Sequence, residues 1–586
     1  MKKINLKKLN AIFFLIFSCC FFSFGEAFDL NRQTPSWVCI LGGNALCRPV
    51  RTSYGYVVVG EGKMISAFSS TGALLWQTYF KAKPKPFVSI GLSDMLYVVT
   101  KERCLNLLNS SGKILWTEDT GFSITEEPVP AGEGMVFVRG KNNVACYSLK
   151  GKLRWNLELK DQDLSLQLTL LPDGSMLVFC ENKKDFNSFA KRVSPFGEIL
   201  EEITFAGKIE TIKTAFNGAL LSFSDGSIGL CSSNKDGLYS LWAKKSSDFS
   251  NSTGGLFILD DKKNNYSYFL TEQKIIKLNT KDGSFITSFS NPKIDIKNIS
   301  YACKTIQGLV IADKSYAYCF KDNGEIYWKS SLNTKNKWLY AFATDSGYLA
   351  FCSTSWGIEA YRVKQSLGKE AHLSSFIPQE IKSNSDFYEK INMQSSNLLG
   401  PAINENLYKE IYRAFTEGPA GPKESFYLAL VESELNALNK SYMQESWDYT
   451  VEKPYFKTNS SYAERVLILA SLTGTSLYAK TFSSLVKRTS DKAELLALIN
   501  AMKELQYDPE GDLLLSLEYI MRQIADPKEQ TLNNAICDTV LSICTFMGKP
   551  SLWQRGRNIL SYMMYPQFSN ETREKARLSL EKIIEE

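Results

Sequence analysis

The feature that most constrains this chain is a unit of about 43 residues, copied eight times and aligned on one glycine. The clearest copies read "KMISAFSSTGALLW" at 63–76, "RCLNLLNSSGKILW" at 103–116, "NVACYSLKGKLRW" at 143–155 and "SYAYCFKDNGEIYW" at 315–328. Each is a strand of alternating character, a polar turn closed by Gly, and a second strand with Trp four residues on. A turn glycine there suits the positive φ that tight hairpins demand. The repeat anchors are therefore Gly72 with Trp76, Gly112 with Trp116, Gly151 with Trp155 and Gly324 with Trp328. Weaker copies centre on Gly197, Gly237, Gly283 and Gly368, and the anchor spacings run 40, 39, 46, 40, 46, 41 and 44.

A further strand precedes each hairpin, as in "GYVVVG" at 55–60 and "GMVFV" at 134–138. We read these eight as the inner strands, with one more extended stretch between repeats completing four strands per unit. Four strands in a period of 40–50 is the signature of a propeller, and the alternating apolar pattern excludes a helical solenoid here. The stretch Phe28–Ile40, containing "SWVCI", is placed to supply the strand that closes the ring.

Past His372 the period changes. A polar linker, "SSFIPQEIKSNSDF", leads from about Phe387 into helical spacing. The predicted helices include Tyr462–Thr473, Leu477–Lys487, Glu510–Ile524, Lys528–Met547 and Leu552–Met564, with a last one opening at Ser569. Asp491 with Glu494 reads as a helix start, and Asp508-Pro509 and Asp526-Pro527 as a cap followed by Pro at the first helical position. Eight to ten such helices with short links make an antiparallel array. The expected fold is thus multidomain β plus α, an eight-bladed β-propeller followed by an all-α helical-repeat domain. Its expected division is a signal peptide at 1–27, the propeller at 28–375, a linker and first helix at 376–400 and the helical domain at 401–586.

The leader reading rests on four lysines before the apolar run Ala11–Phe24, with small residues at Gly25 and Ala27. Lipidation at Cys19 is the rival; Phe21, Phe22 and Phe24 carry the apolar run past that cysteine and favour cleavage near Ala27. Removing the leader cuts the net charge from +6 to +3, too small to argue for nucleic acid or an anionic membrane as partner. Apolar content of 44% and charge of 22% exclude a wholly disordered chain.

The chemistry-bearing residues are sparse. One histidine, His372, stands beside the linker, where a surface residue is expected; without others, Ser-His-Asp and Cys-His catalysis and His-rich metal sites lose their basis. No Walker, GxSxG or dinucleotide fingerprint follows a strand. The thirteen cysteines include no CxxC, and most sit singly in strand-like runs as small hydrophobes. Cys39 and Cys47 are close enough in sequence to pair, with free thiols the expectation. Asp260-Asp261 with Lys262-Lys263 reads as a solvated turn rather than a calcium loop, and Lys81–Pro86 as a basic loop between blades. Trp338, Trp356 and Trp447 fall outside the Gly-x-x-x-Trp register and are the candidate binding anchors.

Over about Phe28–Ala371 the Gly-x-x-x-Trp recurrence resembles the quinoprotein-like (PQQ-like) propellers; Tyr462–Ile584 more faintly resembles HEAT-like helical repeats. The first resemblance implies that the repeat tryptophans dock between neighbouring blades. It also divides function. One branch of the family binds a quinone and calcium, and its alcohol dehydrogenases carry a vicinal disulfide; adjacent cysteines occur here only at Cys19-Cys20, inside the leader. The other branch, which includes the propeller lipoprotein of the outer-membrane barrel-assembly machinery, uses the ring as a scaffold without cofactor. The expectation is accordingly a non-enzymatic envelope scaffold with no cofactor and no mature transmembrane span, contacting other envelope proteins through the propeller face and the helices. The alternatives are a quinone-dependent oxidoreductase and a carbohydrate- or peptidoglycan-binding propeller.

Overall fold

A computed structural model describes residues 34–585, apart from 183–187, 246–256, 332–337, 363–382, 392–404, 446–459 and a few shorter gaps. The leader, His372, Gly368 and Trp447 lie outside the described residues.

Eight antiparallel sheets follow one another along the chain; blades 1 to 3 and 5 to 7 are four-stranded meanders of consecutive strands, and in blade 4 two short strands, Gln162–Leu164 and Thr169–Leu170, share Met176–Asn182 as neighbour. Blade 1 runs Val50–Arg51, Tyr56–Gly60, Met64–Phe68 and Leu74–Tyr79. Blade 8 is different: Trp338–Ala343, Tyr348–Ser353 and Gly357–Arg362 are completed by Trp37–Ile40, near the start of the described residues. Trp37 pairs with Ala360 and Ile40 with Gly357, so the ring is closed by hydrogen bonds between its two ends, as the "SWVCI" segment predicted.

One expectation needs correcting. The strands read as inner, such as Tyr56–Gly60, lie second from the axis, because the strand before each of them packs against its counterpart in neighbouring blades. Two of those first strands, Val50–Arg51 and Val129–Pro130, are only two residues long, which hid them in the sequence. The basic "loop" at Lys81–Pro86 is corrected likewise, since Pro84–Ile90 is the first strand of blade 2. Asp260 and Asp261 end a strand, Phe257–Asp261, rather than occupying a turn.

Why Trp falls four residues after Gly is visible in the register. In blades 1, 2 and 3 a β-bulge interrupts the third strand next to the turn, and the Trp faces the residue just before that bulge: Ala67 opposite Trp76, Leu107 opposite Trp116, Cys146 opposite Trp155. The indole then reaches the next blade. A Cβ added to Gly112 would stand 2.4 Å from the ring of Trp76, and one on Gly197 would meet Trp155 at 2.7 Å. Gly112 also has φ +86°, a conformation that only glycine adopts cheaply. Each indole N–H donates across the same boundary: Trp76 to the Ser110 carbonyl at 3.0 Å, Trp116 to Leu149 at 2.9 Å, Trp155 to Pro195 at 2.8 Å. The ring of Trp37, on the closing strand, packs against Gly72 in the same way.

The C-terminal region holds nine α-helices among the described residues. They are α1 (Glu405–Thr416), α2 (Glu424–Glu445), α3 (Ser460–Thr473), α4 (Leu477–Val486), α5 (Lys492–Leu505), α6 (Asp512–Tyr519), α7 (Gln530–Met547), α8 (Pro550–Met563) and α9 (Asn570–Glu585). Helices α3, α5, α7 and α9 pack successively in one layer, and α4, α6 and α8 in a second. That is a stack of helix pairs rather than a compact bundle. Asp491 caps α5 as expected, its carboxylate accepting from Ala493 N at 2.9 Å and Glu494 N at 3.0 Å. The two Asp-Pro starts are corrected. Asp508 lies four residues before α6, buried, and accepts from Leu514 N at 3.1 Å; Asp526 closes a turn onto Lys528 N at 2.9 Å, ahead of α7. In the 376–400 interval the described residues form a single 3-10 turn, Ser385–Phe387.

Candidate functional site

In a four-stranded meander the turns joining strands 1–2 and 3–4 emerge on one end of the blade, and the turn joining 2–3 on the other. The ring therefore has two faces of different origin. The helices rest on the 1–2/3–4 face, over blades 2 to 4.

The contacts come from turn tips. In blade 2, Ser93 bonds the Tyr507 hydroxyl at 2.8 Å, Asn109 Nδ2 donates to Thr545 O at 2.8 Å and Ser110 Oγ to Met547 O at 2.9 Å. The last two fill carbonyls that the end of α7 leaves unpaired. In blade 3, Lys150 Nζ donates to the carbonyls of Ser471 (3.4 Å) and Glu504, at the C-terminal ends of α3 and α5. A cation at two helix C-termini is favoured by both dipoles. Burial nevertheless pulls its pKa below the ordinary lysine value, partly offset by Glu504.

Deeper in, Arg154 and Glu424 are each 2% exposed and joined at 2.9 Å, with Arg154 also donating to Ala414 O at 3.2 Å and lying over the Phe415 ring at 4.6 Å. Burial pushes the Glu424 carboxyl up, and Arg154 opposes that shift. Glu133, on the 1–2 turn of blade 3, accepts from Asn384 N at 2.9 Å and Ser383 Oγ at 2.6 Å, tying the segment after the ring back onto it. Its pKa is raised to about 7, chiefly by burial, against the pull of those two donors. One continuous apolar core joins blades 2 to 4 to the helices, running from Tyr97, Phe137 and Trp155 to Phe415, Leu505 and Met547. Blades 5 to 8 keep small clusters of their own.

Blade 4 departs from the aromatic rule. Glu201 stands where Trp is expected, opposite Arg192. Arg192, 2% exposed, binds Glu201 at 3.1 Å and Asp173 at 2.7 Å, and Glu201 accepts Leu238 N of blade 5 at 3.1 Å. An ionic network around buried Arg192 thus joins blades 4 and 5 where an indole joins blades 1 to 2, 2 to 3 and 3 to 4. The sequence reading missed it, and missed Arg154, Glu424, Lys150 and Glu133; the only signal was a charged residue within an otherwise apolar strand.

Of the predicted anchors, Trp356 occupies the 2–3 turn of blade 8, on the face opposite the helices, 58% exposed and at φ +65°. Its carbonyl accepts Leu41 N at 2.6 Å, and Ile40, 78% exposed, pairs with the next residue. Trp338 begins the first strand of blade 8 opposite Ser353, at the same end of that blade. Gly324 sits over Phe289 of blade 6 rather than over a Trp, and the Trp328 side chain is buried. Cys39 and Cys47 are unbonded, and burial pushes the Cys47 thiol to about 12. Among the described residues no cluster of three His, Cys, Asp or Glu side chains is arranged to hold a metal ion, and no helix is long and apolar enough to cross a membrane.

These features define an eight-bladed β-propeller with a helical array docked on one face. The family described as "outer membrane protein assembly factor BamB" matches residues 42–183, which span blades 1 to 3 and the start of blade 4. Among solved structures the chain is similar to BamB from Moraxella catarrhalis, at 12% identity and TM-score 0.43, over 56% of this chain and 99% of that one. It is similar also to Saccharomyces cerevisiae Sqt1, at 11% identity and TM-score 0.40, over 57% of this chain and all of that one. Virginiamycin B lyase from Staphylococcus aureus follows at 16% identity and TM-score 0.34, over 47% of this chain and 92% of that one. No curated protein matches the chain.

Proposed function

We propose that this protein is an exported, non-enzymatic interaction scaffold of a bacterial cell envelope, serving the assembly of envelope or outer-membrane proteins. The observation that carries the reading is the match of residues 42–183 to the BamB family. Two repeat architectures locked together by a common core support it, since rings and helical stacks offer broad, rigid docking faces. So does a sequence with one histidine and no motif for nucleophilic or metal chemistry. The test is photo-crosslinking in living cells from positions on both ring faces and along the helices, followed by mass spectrometry of the envelope fraction. Crosslinks to other envelope proteins are expected. Their absence, or a chain confined to the cytoplasm, would sink the proposal.

A further inference from the structure

The joint that closes the ring is built less well than others like it. Trp76, Trp116, Trp155 and Trp242 each pack beneath the glycine of the next blade and donate the indole N–H to a carbonyl there, at 2.8 to 3.0 Å. Trp37 packs beneath Gly72, yet its indole nitrogen is shut off from solvent and meets no acceptor among the described residues. A buried donor left unpaired keeps the full cost of leaving water. At the other end of the closing ladder the Trp356 carbonyl accepts Leu41 N from a left-handed backbone, φ +65°, which a bulky side chain adopts only under strain.

The closing strand also lacks the tie that other outer strands have. Leu74–Tyr79 and Ile114–Asp119 follow their partners through hairpin turns, whereas Trp37–Ile40 pairs with Gly357–Arg362 through no turn at all. Val38 and Ile40 are exposed, which leaves Trp37 and Cys39 to hold the strand from its inner face. Directly after it come Gly42 and Gly43, and beyond them the chain is fastened again. Ala45 bridges to Gly60, and the Tyr340 hydroxyl donates to Leu46 O at 3.0 Å. A poorly held strand, two glycines and a fixed anchor are the parts of a hinged element.

We infer that Trp37–Ile40 is a releasable latch, swinging out about Gly42 and Gly43 while the blades stay folded. Opening leaves the edge of Gly357–Arg362 unpaired, empties the hollow beneath Gly72 and brings the buried Cys39 thiol into solvent. The latch is a property of the ring and stands whether or not the scaffold reading does.

Amide hydrogen exchange and alkylation of the folded full chain by iodoacetamide test it together. Amides of 37–40 and 357–360 are expected to exchange about tenfold faster than those in the outer hairpins of blades 1 to 3, at a rate that dilute urea leaves unchanged, the mark of local opening. Cys39 should be alkylated about tenfold faster than Cys146 and Cys180, which are buried in inner strands. Two conservative variants should then move in opposite directions. Trp37→Phe deletes an unpaired donor and should slow both readouts at the latch; Trp76→Phe strands the Ser110 carbonyl and should speed exchange at its own joint. Trp356→Gly, which relieves the left-handed backbone, should slow the latch as well. Latch amides as protected as the hairpins, Cys39 as inert as Cys146, or Trp37→Phe and Trp76→Phe acting in the same direction would each overturn the inference. So would latch exchange that rises with urea in step with the rest of the ring.

Discussion

Blades 1 to 3 and blades 5 to 8 are built from the same repeat but held together differently. In the first group each indole sits beneath the glycine of the next blade, and the helices extend the core of blades 2 and 3 outward. In the second, Trp242 serves Gly283 from five residues after its own turn glycine, and Phe289 replaces Trp beneath Gly324. Those blades depend on small separate clusters. The regular indole joints run through blades 1 to 3, of which blades 2 and 3 share the helices' core while blade 1 packs through small clusters of its own.

The largest expected effect tests whether the seam is one structure. Arg154→Ala should cost about 3–5 kcal/mol by stranding the buried Glu424 carboxylate, whereas replacing both partners with apolar residues of similar volume should be close to neutral. Urea unfolding of the single and double variants decides, and a single variant as stable as wild type would mean the pair contributes nothing. Next comes Gly112→Ala, which combines a left-handed backbone with a Cβ pressed on Trp76, for roughly 2–5 kcal/mol. Gly324→Ala, pressing on Phe289, should cost a similar amount locally. Hydrogen exchange should then show the Gly324 variant opening only around blades 6 and 7, while the Gly112 variant loosens the helices too. Identical exchange patterns would erase the contrast between the two halves.

A subtler effect comes from pH. The Glu133 carboxyl is raised from 4.5 to about 7 in the docked state, so its contribution is fully present below about pH 4.5 and lost as pH rises through about 7. The groups around it are the Ser383 and Asn384 donors, Tyr388, and the carboxylates Glu424 and Glu432, of which Glu424 is paired with Arg154. Protection of residues 383–388 from exchange should therefore fall between pH 5 and 8 in the wild type, and Glu133→Gln should flatten that dependence. Raised carboxyls at Glu424, Glu432 and Asp508 act in the same direction, so the informative quantity is the difference between the two proteins. The smallest effect is Asp491→Ala, about 1 kcal/mol from a lost cap, confined to α5 and its neighbours.

How much of this was legible follows from which features are local. Gly-x-x-x-Trp is written within one hairpin, so the blades could be counted from residues alone. The closing strand was visible because Trp37-Val38-Cys39-Ile40 has strand character with no hairpin of its own. Axis-lining strands such as Val50–Arg51 and Val129–Pro130 were missed because two-residue strands leave no periodicity. The Asp-Pro starts misled because Asp508 reaches its helix across a buried turn, a tertiary arrangement that no dipeptide encodes. The seam was unreadable for the same reason. Arg154 and Glu424 lie 270 residues apart, and nothing near either names the other.

The closing strand also sets a schedule. Trp37–Ile40 is synthesised before the rest of the ring, yet its partner Gly357–Arg362 follows roughly 300 residues later. At about 5–20 residues per second, that leaves an apolar strand waiting on the order of 15–60 s for its place. Until then blade 1 has an indole for Gly72 only in prospect, and the nascent ring is an open arc with a sticky end. Whatever keeps that end from pairing elsewhere acts before the helices exist to help.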